Sequence, residues 1–210
     1  MDFEFEQLRA AFGEQSTTFV DLVHNTRDLS TPTALEGWDC AVLIGHVSTA
    51  VEALTRWQAD PPPDAPEIDA VAWWDGVDPG MNDTFSHRYA AKRSHEQLRE
   101  LIGSAVQQAK EMLPTMKPGA TLVAPGGIAW TRFDQGLATR VVELTVHGLD
   151  LAAATGSTTA MSPRALAVTG QILDQRLNGT RPAELDDNGR WVAAATGREP
   201  HSDSRLPVIQ

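Results

Sequence analysis

Residues 134–156, Asp134-Gln135-Gly136-Leu137-Ala138-Thr139-Arg140-Val141-Val142-Glu143-Leu144-Thr145-Val146-His147-Gly148-Leu149-Asp150-Leu151-Ala152-Ala153-Ala154-Thr155-Gly156, decide the fold. A helix drawn through 134–155 is apolar on most faces, the exceptions being Arg140, Glu143, His147 and Asp150. Such a helix needs neighbours on every side, which predicts the central member of an all-α bundle with its polar side chains turned inward. Gly156 is a fitting C′ stop. Glu143 and His147 stand at i and i+4 and so project from one face.

Working outward, Phe5, Leu8, Phe12, Phe19, Leu22 and Val23 recur at helical spacing and predict a first amphipathic helix over 3–27. Asp39 is a good N-cap for a second, over 39–59, with Trp38 as a staple before it and Pro61-Pro62-Pro63 as its stop. The stretch 60–81, rich in proline and aspartate and carrying Trp73 and Trp74, is longer than a tight helical hairpin needs. Helices two and three are therefore expected to run in the same direction. The third is predicted over 82–113, with Leu98, Ile102, Ala105, Ala109 and Met112 inward and a polar first half. Residues 121–130 read as a short hairpin or structured loop around Pro125-Gly126-Gly127. Ser162-Pro163 opens a fifth helix to 177, and a short sixth runs from Asp187 to Ala195. The last ten residues show no periodicity and are expected to be loosely held.

A chain of 210 residues that is 41% hydrophobic can bury one good core. No apolar run approaches the ~20 residues that cross a bilayer. The acidic start, Met1 to Glu6, enters a helical pattern at once and reads as neither signal nor transit peptide. A net charge of −11 argues against binding nucleic acid, which is held by lysine and arginine contacts to phosphate. Arginine outnumbers lysine 14 to 3, a usage associated with high-GC bacterial genomes. The single cysteine, Cys40, suits a reducing cytoplasm. A catalytic thiol is a second reading of Cys40, because a helix start lowers a thiol pKa.

His46 lies among Leu43, Val47, Ala50, Leu54 and Trp57, which recur at helical spacing, so it points into the core. An unpartnered buried imidazole costs roughly 1–3 kcal/mol. Its partner is either a metal shared with Glu143 and His147, or a backbone carbonyl or Glu143 itself. Asp150, at i+3 from His147, either accepts the free N–H of a ligating histidine from another helix or bonds Arg140 or local backbone. Arg140 either binds a substrate carboxylate bidentately or pairs with Glu143 or Asp150. Trp38, Trp73, Trp74 and Trp130 either roof a pocket or cover core edges. His87 and His95 are expected to face solvent, and His24 and His201 to lie on the surface.

Gly37-Trp38-Asp39, with His46 seven residues beyond the aspartate, and Glu143 through Gly156 resemble the two signatures of the mycothiol-dependent maleylpyruvate isomerase-like proteins, part of the DinB/YfiT-like superfamily of metalloenzymes. Thr196-Gly197-Arg198-Glu199-Pro200 resembles the close of short actinobacterial members, and the similarity runs in order over about 1–200. The resemblance implies an up-down-down-up four-helix bundle over 1–156, with a short helical extension over 157–210 packed on it. It also implies a metal between helices two and four, held by His46, Glu143 and His147. That metal is zinc in the characterised isomerase, with nickel or iron as alternatives here, and the cosubstrate is mycothiol.

Two histidines and a glutamate leave a fourth position to water or a thiol, and a thiol so bound is deprotonated. The resemblance thus implies an intracellular isomerase or transferase acting on a small electrophile, monomeric or homodimeric, with no catalytic side chain singled out beyond the ligands. That isomerase carries a sizeable second C-terminal domain, whereas only residues 157–210 follow helix four here. The rival readings are a non-catalytic metal or small-ligand binder or sensor, and a bundle whose polar trio is a hydrogen-bond network without metal.

Overall fold

Each apolar pattern becomes a helix in the computed structural model, which describes residues 3–76, 78–124 and 127–209. Helix α1 (Phe5–Asn25) buries Leu8, Phe12, Phe19 and Val23. Asp39 Oδ1 accepts from Val42 N at 2.9 Å and so opens α2 (Cys40–Arg56), as its residue type predicts. Helices α3 (Pro79–Ala90) and α4 (His95–Met112) follow the long connection, then strands β1 (Thr121–Val123) and β2 (Trp130–Arg132). Helix α5 (Phe133–Thr155) is the central element, lying against α1, α2 and α6 (Pro163–Leu177). It stops at Gly156 in the left-handed conformation, φ 66°. Helix α7 (Asn188–Ala195) packs on α6.

Side-chain contacts fix the directions. Phe5 meets Phe133 with ring centroids 6.2 Å apart, and Gln15 donates to the Leu144 carbonyl at 3.1 Å, so α1 and α5 run together. Arg99, early in α4, reaches the Thr26 carbonyl past the end of α1 at 2.7 Å, and Lys110 reaches Thr17 at 2.7 Å, so α4 runs against α1. Gln58, just beyond α2, lies 2.7 Å from the Met112 sulfur at the end of α4, which sets α2 and α4 parallel. The bundle of α1, α2, α4 and α5 is thus up-down-down-up, and the long connection of residues 57–94 supplies the return.

Two expectations need correction. The single helix expected over 82–113 is two helices, because Ser94 builds a capping box: its Oγ accepts from Gln97 N at 3.2 Å while Gln97 Oε1 accepts from Ser94 N at 2.8 Å. Leu98, Ile102, Ala105 and Ala109 are buried as expected, but the polar first half belongs to α3, which lies against α2 outside the four-helix core. The chain end is not loosely held: Leu206, Val208 and Ile209 pack against the core, and Val208 N donates to the Ala195 carbonyl at 2.9 Å. Missing periodicity there means irregular backbone, not missing contacts.

The expected hairpin forms, with Leu122 opposite Thr131, while Pro125 and Gly126 of its turn lie outside the described residues, as do Met1 and Asp2. Val123 N donates to the Trp57 carbonyl at 2.8 Å, tying the hairpin to the end of α2.

Because the Ser94 cap separates α3 from α4, Ser94→Ala should cost about 0.5–2 kcal/mol. Urea denaturation should show a lower midpoint with an unchanged slope.

Candidate metal centre

His46 is 8% exposed, on the face of α2 that meets α5. Its Nε2 lies 3.1 Å from Glu143 Oε2, and His147 Nε2 lies 3.3 Å from the same oxygen. One donor atom from each of the three residues falls within 4.8 Å of the other two. In a tetrahedral site with bonds of about 2.0–2.1 Å, neighbouring donors are about 3.3–3.4 Å apart. The two edges to Glu143, 3.1 and 3.3 Å, lie close to that length, so the donor set fits a small divalent cation.

The outer hydrogen bonds aim both rings. Ser86 Oγ donates to the Asn82 carbonyl at 2.8 Å and therefore accepts from His46 Nδ1 at 3.2 Å. His147 Nδ1 donates to Asp150 Oδ2 at 3.0 Å, since a carboxylate can only accept. These bonds place a proton on Nδ1 of each ring and turn each Nε2 toward Glu143, the orientation that metal-ligating histidines use. Ser86 gave no signal in the sequence, because it comes from α3.

The charges are unusual for groups so deep. Burial alone would raise the Glu143 carboxyl, but hydrogen bonds from His147 and His46 outweigh it and hold Glu143 well below the usual carboxylate range. Burial would likewise lower His147, yet Asp150 and Glu143 together raise it to about 9. Asp150, against the pull of burial, is lowered by His147 and Arg198. The histidine that bonds Asp150 belongs to its own helix and not to another, because i+3 spacing brings the two side chains together on α5.

Arg140 pairs with neither Glu143, which takes the two histidines, nor Asp150, which takes His147 and Arg198. It is 4% exposed, and its Nε has no hydrogen-bond partner among the described residues. Its guanidinium carbon lies 4.8 Å from the Trp73 ring centre and 5.5 Å from that of Trp57. Desolvation lowers its pKa to about 10, with Glu143 working the other way.

A cavity of about 720 Å³ opens onto this group, lined by His46, Glu143, His147 and Arg140 and walled by Trp38, Trp57, Trp73, Trp74 and Tyr89. Trp38 is held by its Nε1, which donates to Asp83 at 2.7 Å, with its ring 5.3 Å from that of His46. Trp130 does not line the cavity; it donates to the Ala65 carbonyl at 3.1 Å.

The other histidines stand apart from the trio. His24 and His95 are exposed. His87 is half-exposed, 3.4 Å from Asp83, and shares an edge with Trp38. His201 is only partly exposed: its Nδ1 accepts from Asp203 N at 3.0 Å and its ring faces Glu184, with 12% of the side chain exposed.

Residues 9–152 match the family model described as the mycothiol maleylpyruvate isomerase N-terminal domain. Among solved structures, a mycothiol-dependent maleylpyruvate isomerase matches at 16% identity with a TM-score of 0.59, covering 84% of this chain and 70% of that one. A histidine-to-alanine mutant of such an isomerase matches at 14% identity and a TM-score of 0.58, over 84% of this chain and 70% of that one. No curated protein matches the chain.

Cys40 is fully buried, and burial, reinforced by Asp39 and Asp28, pushes its thiol up to about 11. This reverses the lowering expected from a helix start. Native protein at pH 7.5 should therefore resist iodoacetamide, with alkylation by mass spectrometry appearing only after denaturation.

Proposed function

The chain belongs to the family of the mycothiol maleylpyruvate isomerase N-terminal domain, and from that premise we propose that it is a metal-dependent enzyme. In this reading it uses a low-molecular-weight thiol, mycothiol first, for thiol transfer to a small electrophile or for its cis–trans isomerisation. His46, Glu143 and His147 would hold the metal, and two imidazoles with one carboxylate are a set that zinc takes in catalytic sites, with nickel or iron as alternatives. What carries the reading is the convergence of these three donors at the wall of a cavity of about 720 Å³. That volume lies within the range of small-molecule sites, about 300–1,000 Å³. When bound, the cation would lower the pKa of a thiol and so make thiolate available at neutral pH.

The remaining roles fall to the chain's own side chains. We assign Arg140 the anchoring of an anionic group on the electrophile. A buried guanidinium whose Nε lacks a partner is costly until something accepts from it, and a ligand carboxylate satisfies it through two parallel bonds. Trp57 and Trp73, stacked 6.1 Å apart beside it, hold the plane of the fork. Asp150 and Ser86 keep both imidazoles in the orientation that presents Nε2 to the centre. The aromatic walls exclude water from the reacting end. Such an enzyme belongs where its thiol stays reduced, the cytoplasm, which also suits a lone buried cysteine.

Protein purified without a histidine tag should carry about one zinc per chain by elemental analysis, as expected for a three-residue site with one open position. His147→Ala should lose most of it while circular dichroism stays helical. Calorimetry on zinc-loaded protein should find mycothiol bound more tightly than glutathione, since its sugar and inositol hydroxyls add hydrogen bonds to sulfur ligation. Zinc with equal or absent thiol binding would favour a binder or sensor; no zinc at all would favour a structural hydrogen-bond network.

A further inference from the structure

We propose that Arg198, from the segment after α7, is a positioning residue for the candidate metal centre: through Asp150 it fixes the imidazole of His147. The inference rests on the metal reading above and adds to it a third layer, supplied by residues outside the stretch 9–152 that matches the family.

Arg198 meets Asp150 with a planar fork, Nε to Oδ1 at 3.0 Å and the terminal nitrogen to Oδ2 at 2.8 Å. Asp150 Oδ2 is also the oxygen that accepts from His147 Nδ1 at 3.0 Å. With 1% of the Asp150 side chain exposed, water cannot replace either partner. A carboxylate held at both oxygens by a rigid fork has one orientation. Its second lone pair on Oδ2 then points at a fixed place, where the Nδ1–H of His147 must lie. The opposite ring nitrogen is thereby turned to Glu143.

The fork is itself firmly held. Gly197, in the left-handed conformation at φ 75°, ends α7 and lets Arg198 N donate back to the Ala193 carbonyl at 2.7 Å. The Arg198 terminal nitrogen not used on Asp150 donates to the Thr196 carbonyl at 2.5 Å. Below this turn α7 is anchored by Trp191, fully buried, whose Nε1 donates to the Gly170 carbonyl at 3.2 Å. The segment past α7 therefore reaches the centre of the bundle as a built element.

A merely structural role would make the pair a staple between the chain end and α5. Arg181 is the internal control, because it grips Asp174 with the same fork, at 2.9 and 2.7 Å, and does not line the cavity. Zinc affinity of the full chain is measured by competition with a chelator. Arg198→Met should weaken it roughly ten- to a hundred-fold, the usual effect of losing an outer partner of a ligand. Arg198→Lys, which keeps the charge without the fork, should recover only part of the loss, and Arg181→Met should leave the affinity within about two-fold.

The second readout needs no metal. The Nδ1 proton of His147, hydrogen-bonded to Asp150, should give a downfield proton resonance in the wild type that is lost to exchange in Arg198→Met. Wild-type zinc affinity together with an intact resonance in folded Arg198→Met overturns the proposal, as does an equal loss in Arg181→Met. Should the wild type take no zinc, the metal reading falls, and the clamp stands or falls on the resonance alone.

Discussion

The structure is organised by the burial of four ionisable side chains on its central helix. Arg140, Glu143, His147 and Asp150 sit on one side of α5, and the helix is covered by α1, α2 and α6. Little water reaches them, Glu143 and His147 keeping 14% and 13% of their side chains exposed toward the cavity, and a buried charge without a partner costs several kcal/mol. Within the helix His147 serves both Glu143 and Asp150, and the remaining partners come from another part of the chain or from a ligand. Glu143 takes His46 from α2, Asp150 takes Arg198 from beyond α7, and His46 in turn takes Ser86 from α3. Elements far apart in sequence are thus drawn to one point by polar need, while the apolar faces of α1, α2 and α4 set how closely they approach.

Arg140 is the member of that group whose Nε has no hydrogen-bond partner among the described residues, and it lines the cavity beside Glu143 and His147. Two tryptophan rings compensate part of its desolvation through their electron-rich faces, worth about 0.5–2 kcal/mol each. The cavity is therefore polarised. One end offers two imidazole nitrogens and a carboxylate oxygen, electron-pair donors suited to a cation. The other end offers a cation to an anion. A ligand with an anionic group and a reactive carbon would lie across this axis, with its reactive part near the trio, and this is the physical content of the proposed enzyme.

Most of this was legible in the sequence where the information is local. Asp39, Ser162 and Asp187 announce helix starts, Gly156 announces a stop, and the apolar repeats give α1, α2, α5, α6 and α7 nearly to their ends. The Ser94 to Gln97 box was equally present in the sequence, and it marks the break between α3 and α4. It is masked by a helical pattern that continues on both sides. Glu143 and His147 share a face by helix geometry alone, and the apolar setting of His46 places it inward.

The partners of those side chains could not be read from sequence. Spacing within a helix says which residues share a face, but not what lies opposite, because that depends on how helices pack and on irregular segments that carry no period. Only the tertiary structure brings Ser86 to His46, Arg198 to Asp150, and Trp57 with Trp73 to Arg140. It also turns Cys40 from a thiol at a favourable helix start into one buried to the point of inertness. The sequence determined the helices, their caps and the residue types able to hold a cation; long-range packing decided which buried charge meets which, and left Arg140 Nε without a hydrogen-bond partner among the described residues.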